Sequence, residues 1–479
     1  MLPKRTLLWL GALAAVLYTA LALAFLRPIW EVFGDHLVPD RADPLFSLYV
    51  VKWVIHQARL GFPDLWNANI FYPAKGALAY SDPLFAQAAV ISFFRNPVNG
   101  YNAVVFGSFV LTGLAVGWVL LASGVSPWGA LLGGALYAFS PFRLHHLNHL
   151  AILFAPWLPL CLWSFDRFLA GCGAGRGAGR TTGRMIGRAA LFLLFYALTL
   201  ASGCYFAYMV HFPLLALLAS RALGPPRDLL RPAALKALAP VGLLAALLLL
   251  VLFYPYWRIT HQLRLDRDPS EIAGNAATLA SYLSPAPQNL YSPFAPSDFW
   301  EAERLPAWQK PFVRPENTLF PGLLALPLAA WGFRAFWRRY RSPGERPSGL
   351  AWRLLSGVLL TLALLAYAAG DLYTLGLDRE PALARWLPAA GPGVWLGLGL
   401  TFLGSLVLWA TLRRRFRGTG VLLWREMEPW ERGLVWIGGL SFLSSHALVY
   451  LPLARVVPGM SGMRVPARFA AFFGLTLVY

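Results

Sequence analysis

Apolar runs, most of them close to the length of a bilayer-spanning helix, recur along the chain and are separated by short arginine-bearing segments. They lie near 7–26, 101–122, 127–140, 150–165, 189–203, 204–219, 237–257, 318–333, 354–369, 392–412 and 433–450. A helix needs about 20 apolar residues to cross the hydrocarbon core, and fewer where flanking side chains snorkel to the interface. The pattern predicts an all-α polytopic membrane protein of about 11–12 transmembrane helices in a single domain over residues 1–479. A further run begins near Ala470 and stops at Tyr479 before it can cross, so a final segment is expected to be missing. The start, with Lys4, Arg5, an apolar stretch and Ala-Leu-Ala near residue 24, also suits a cleaved leader. An uncleaved first span is the reading kept here.

Composition agrees with the runs. Charged residues make up 13% and hydrophobic residues 58%, with a mean hydropathy of +0.54, whereas soluble domains carry about 25% charged residues. The net charge of +19 suggests nucleic acid at first sight, but no long basic run or nucleic-acid motif is present, and no nucleic-acid partner is expected. The arginines instead mark topology. Lys4 and Arg5, then Arg167 to Arg188, Arg221 to Lys236, Arg334 to Arg353 and Arg413 to Arg432 fall on one side, while the acids concentrate in 27–83, 258–316 and 370–390. The positive-inside rule puts the N-terminus in the cytoplasm and the two large loops, 27–83 and 258–316, outside. Cys161, Cys172 and Cys204 have neither disulfide nor metal spacing and are expected to be inert. The Gly-Ala-Gly-Arg stretch at 171–183 reads as a flexible basic inner loop.

The first outer loop carries most of the candidate chemistry. It holds Asp35, Asp40, Asp43, Asp64 and Asp82, and the tetrapeptide Asp-Pro-Leu-Phe occurs twice, at Asp43 and at Asp82. Both copies read as helix starts, because Asp caps free N–H groups and Pro tolerates the first helical position. After the first copy, Lys52, His56 and Arg59 form a polar stripe on an apolar helix, a pattern suited to a membrane interface. Each aspartate can be a cap alone; function is favoured for Asp43, and the choice is open for Asp82. The turn after the third run brings His145, His146 and His149 together. On a helix, His145 and His149 would share one face, a spacing compatible with metal ligands, although the zincin Glu is missing. Bonding to lipid headgroups or backbone is the alternative. Glu316 stands directly before a run, where a carboxylate is costly unless it is paired or binds a cation. Arg464 and Arg468 offer guanidinium forks suited to phosphate, or anchors that snorkel.

The order of one inner span, an outer loop with an aspartate and an amphipathic helix, many further spans and a second outer loop ending in Glu resembles the GT-C superfamily of integral membrane glycosyltransferases. Within it, the chain is most similar to a bacterial group related to YfhO-type membrane proteins, in which segments like Asp43-Pro44-Leu45-Phe46, Ser140-Pro141-Phe142-Arg143 with His149, and Arg464 to Phe469 recur. The resemblance implies a bacterial inner-membrane enzyme that moves a sugar, with inversion, from a polyprenyl-phosphate donor to a glycan, lipid or protein acceptor. It implies Asp43 as the base or cation ligand, with Asp82, His145, His149 and Glu316 lining the cavity and Arg464 or Arg468 on the phosphate. A divalent cation, Mg or Mn, would be held by Asp43, His149 or Glu316. The acidic pair that some members carry after the third span is replaced here by the histidines, which bears on metal dependence. A transporter or flippase, or a noncatalytic envelope protein of the same architecture, are the competing readings. A transporter would need ionisable groups or Gly and Pro breaks at midplane.

Overall fold

The computed structural model describes residues 3–283 apart from 28, 30–32, 35, 38–42, 174–180, 224–227, 264–266, 269–270, 273–274 and 278–279. It then describes 319, 328–329 and 332, and 427–478 apart from 458–459, 461–462 and 464. The chain divides into two compact units, Met1–Leu265 with Gly474–Tyr479, and Asp266–Phe473. The described residues are mostly helical and contain no strand; the one bridge joins Ala277 and His446 within the second unit.

Among the described residues, five helices are long and apolar enough to cross a membrane: Arg5–Phe25, Pro97–Ala122, Gly183–Ser202, Cys204–Ala222 and Pro232–Leu263. Several predicted runs take another form. In the first unit the helices are α1 (Lys4–Phe25), α2 (Asp43–Arg59), α3 (Phe85–Ile91), α4 (Pro97–Ala122), α5 (Pro127–Ala138), α6 (Pro141–His145), α7 (Leu150–Leu153), α8 (Trp157–Gly173), α9 (Thr181–Ser202), α10 (Cys204–Met209), α11 (His211–Leu223) and α12 (Pro232–Leu263). The run at 127–140 forms α5, about 18 Å long at 1.5 Å per residue, short of the ~30 Å core. The run at 150–165 is broken between α7 and α8. In the second unit the run at 433–450 is interrupted at Ser445 and His446, between α13 (Pro429–Ser444) and α14 (Ala447–Val456). The runs at 354–369 and 392–412, and nearly all of 318–333, lie outside the described residues.

Local chemistry sets these boundaries. The Asn96 side chain accepts the Val98 N–H at the start of α4 and Ser126 accepts that of Gly129 at the start of α5, each with Pro at the first helical position. Four residues join α4 to α5, including Gly124 at a left-handed φ of 92°, so the two helices pack as a hairpin. Tyr18 of α1 seats its ring over Gly113 and donates its hydroxyl to Leu131 O at 2.8 Å. The missing side chains at Gly113 and Gly134 make room for that ring. Across α8 and α11, Arg221 holds the buried Asp166 carboxylate, Nε to Oδ1 2.7 Å. The helix α12 runs about 48 Å yet buries only Ala234, Val241 and Ile259, the all-round apolar surface of a helix that meets lipid.

The first loop is packed into the helices. Val50, Val51, Leu78 and Leu84 join Tyr101, Val105 and Phe109 of α4 and Leu150 and Leu153 of α7 in one buried cluster. Asn102 of α4 donates to Phe33 O and His36 O, both at 2.9 Å, and Asn96 donates to Gly34 O at 3.0 Å.

Candidate functional site

Asp43 is the first residue of α2, with Pro44 next; the sequence places it one position earlier, as the cap. The helix turns Leu48, Val51 and Val54 inward and leaves Lys52, His56 and Arg59 exposed, which reproduces the expected polar stripe. His149 immediately precedes α7. Its Nε2 lies 3.3 Å from Asp43 Oδ2, with the Asp43 side chain 56% exposed and that of His149 22%. Two motifs 106 positions apart in the sequence thus meet. A contact this open adds at most about 1 kcal/mol to stability. What it provides is an accessible carboxylate oriented by an imidazole.

His149 is held there by the turn before it. The histidines do not share one helix face: α6 ends at His145 and the chain turns through 146–148, so the expected spacing of four on a continuous helix does not form. His145 closes α6 partly buried, while His146 is fully buried with Nδ1 2.7 Å from Phe142 O. Arg143, 3% exposed, donates from Nε to Ala138 O at 3.0 Å and from Nη2 to Leu153 O at 2.9 Å and Ser108 O at 3.3 Å, and lies 5.0 Å over the Phe109 ring. Ala138 and Leu153 end α5 and α7, where carbonyls have no helical partner. A helix can stop beside an apolar core only if such groups are satisfied, and Arg143 satisfies them. Ser108 is about 16 Å along α4 from its first residue, so the histidine turn is set well down that helix. The motif Ser140-Pro141-Phe142-Arg143 points to no role for Arg143; its one signal in the sequence is a lone arginine beside apolar runs.

Asp82 departs from its expected role. The second helix begins at Phe85, preceded by Leu84 at a left-handed φ of 49°. Asp82 Oδ1 instead accepts the backbone N–H of Cys204, at the break between α9 and α10. Gly203 allows the approach: a Cβ there would lie 2.7 Å from Ala151 Cβ and 3.3 Å from Asp82 Oδ1. Tyr256 of α12 donates to Ser81 O at 2.8 Å and Gln87 to Ser202 O at 2.7 Å. Asp82, with Ser81 and Gln87, therefore fastens this segment to other helices.

Arg468 belongs to the second unit, 5% exposed in the 3-10 turn Pro466–Phe469. Arg464, Glu316, Asp35 and Asp40 lie outside the described residues. Among the described residues no group of three or more His, Cys, Asp or Glu side chains is placed to hold a metal ion; Asp43 and His149 supply two donors only. No protein-family model matches the chain, and neither does any curated protein or any solved structure.

Proposed function

We propose that the chain is a membrane glycosyltransferase of the GT-C type, transferring a sugar from a polyprenyl-phosphate donor to an envelope glycan, lipid or protein, on the outer face of a bacterial cytoplasmic membrane. The meeting of Asp43 with His149 carries this reading, because an accessible carboxylate beside a histidine is what deprotonation of an acceptor hydroxyl requires. Asp43 takes the hydroxyl proton as the acceptor oxygen attacks the anomeric carbon; the bond from that carbon to the phosphate oxygen breaks, and the phosphate departs with the electron pair. His149 fixes the carboxylate. The assignment of the departing phosphate to Arg464 and Arg468 rests on the family resemblance and on the fork of a guanidinium alone.

Asn caps a helix about as well as Asp, so Asp43→Asn keeps α2 and removes only the charge. Release of polyprenyl phosphate from polyprenyl-phosphate hexose or pentose, with membrane extract as acceptor, is expected to fall about 100-fold or more in this variant. Full activity would leave Asp43 as a cap. No turnover of either donor class by the wild type would remove the transferase reading.

A transporter is the competing reading, and Pro240 and Pro255 inside α12 are the observation on its side. Between Lys236 and Arg258, however, α12 carries no acid or base, so those breaks line no charged path.

A further inference from the structure

Residues of α2 and Asn69 of the following loop line a groove that the proposed chemistry does not use. It is a cavity of about 620 Å³. Lys52 and His56, both exposed, stand at one end, and Leu45 and Leu48 at the other. Tyr49 and Trp53 line it between them and are pinned in place: Tyr49 donates to Asn69 Oδ1 and Trp53 Nε1 to Leu65 O, each at 2.8 Å. Partial burial raises the Tyr49 pKa, so its hydroxyl stays a donor. The loop that pins them is itself braced, with Gln57 Oε1 accepting the Asp64 N–H at 3.1 Å and Asn67 Oδ1 that of Gly76 at 2.8 Å.

The groove's surroundings select its occupant. Leu60, Phe62, Phe71 and Tyr72 project from the adjoining loop, 52–97% exposed. Phe62 and Phe71 do so from left-handed backbone, φ 62° and 61°, a conformation that bulky residues adopt at a cost of about 1 kcal/mol or more. Arg59 and Lys75 are exposed in the same segment. The one acid between Pro44 and Ser81, Asp64, accepts from Asn67 Nδ2. Outward aromatics among cations are the composition of a membrane-interface surface.

We infer that this groove is a binding site for an anionic phospholipid, the headgroup phosphate between Lys52 and His56 and an acyl chain along Leu45 and Leu48. The donor's own lipid phosphate is the other source of the same chemistry, and geometry along α2 separates the two. Lys52 is nine residues from Asp43, about 14 Å along the helix, whereas a donor phosphate sits one bond from the carbon that the base-activated oxygen attacks. That choice of source rests on Asp43 as the base; anion binding in the groove does not.

The test is native mass spectrometry of the full chain in detergent, titrated with dioleoyl phosphatidylglycerol or dioleoyl phosphatidylcholine. The wild type is expected to hold its tightest phosphatidylglycerol about tenfold or more above phosphatidylcholine, the scale of one or two cations at an anionic lipid. The Lys52→Gln/His56→Gln variant is expected to lose that preference, and Lys52→Arg to keep it. Equal retention of the two lipids by the wild type would overturn the site without reference to any variant, as would an undiminished preference in the double variant. Undecaprenyl phosphate displacing phosphatidylglycerol from the groove at lower concentration would assign it to the donor instead. A failure of donor turnover in the transferase assay would leave this result untouched.

Discussion

Arg143 shows how one side chain decides where a helix can stop. Its guanidinium serves three carbonyls, Ala138 from Nε and Leu153 and Ser108 from Nη2, with a ring face beside it. A lysine offers the same charge from a single point and lacks the planar fork. Arg143→Lys is therefore expected to destabilise the chain by about 3 kcal/mol, the scale of lost charge-assisted bonds to buried groups; an unchanged thermal unfolding midpoint in detergent would end this account. The candidate site was legible in the same uneven way. Asp43 and His149 could each be picked out by type and context, but nothing local to Asp43 identifies a partner 106 positions later. Arg143 was visible as an oddity only, because its role depends on where the carbonyls of α4, α5 and α7 come to lie.

At the scale of the element, the two copies of Asp-Pro-Leu-Phe mark the limit of local reasoning. The same four residues open α2 at Asp43 and fail to open a helix at Asp82. The difference is tertiary: at Asp82 a free backbone N–H at Cys204 lies within reach, so the carboxylate serves another helix and the chain reverses through Leu84 before α3 begins. Apolar periodicity located most of the described helices but not their lengths, because it could not show that Arg143 makes a break tolerable after α5. Glycines carry a second element-scale signal that only packing decodes. A Cβ at Gly134 would lie 2.6 Å from Gly113 O and against the Tyr18 hydroxyl, whereas at Gly107 it would meet nothing within 4 Å. Alanine at a free helical position stabilises by up to about 1 kcal/mol, while overpacking costs about 1–3 kcal/mol. Gly107→Ala is expected to be neutral or to raise the unfolding midpoint, and Gly134→Ala to lower it; the reverse order would mean that α1, α4 and α5 do not pack through Tyr18.

Over the first unit as a whole, the contacts of the first loop gather at one end of the helices. It reaches His149, Ser202 and Cys204, and Tyr256 near the close of α12. The Gly173 end of α8, the Thr181 end of α9, the Leu223 end of α11 and the Pro232 end of α12 lie away from these contacts, and Arg184, Arg188, Arg231 and Lys236 are found there. The separation of acids from arginines along the sequence matches this two-ended arrangement, since each crossing reverses the side. What the fold leaves to measurement is which end meets the cytoplasm, and the positive-inside rule assigns it to the arginine end. Ala58, exposed on α2, and Gly183, exposed near the start of α9 with open space around it, report the two ends. In a chain with Cys161, Cys172 and Cys204 replaced by serine or alanine, Ala58→Cys is expected to react with an impermeant thiol reagent in intact cells and Gly183→Cys only after permeabilisation. Should Gly183→Cys label in intact cells while Ala58→Cys is protected, Asp43 and His149 would face the cytoplasm. A sugar nucleotide would then replace the polyprenyl phosphate as the accessible donor.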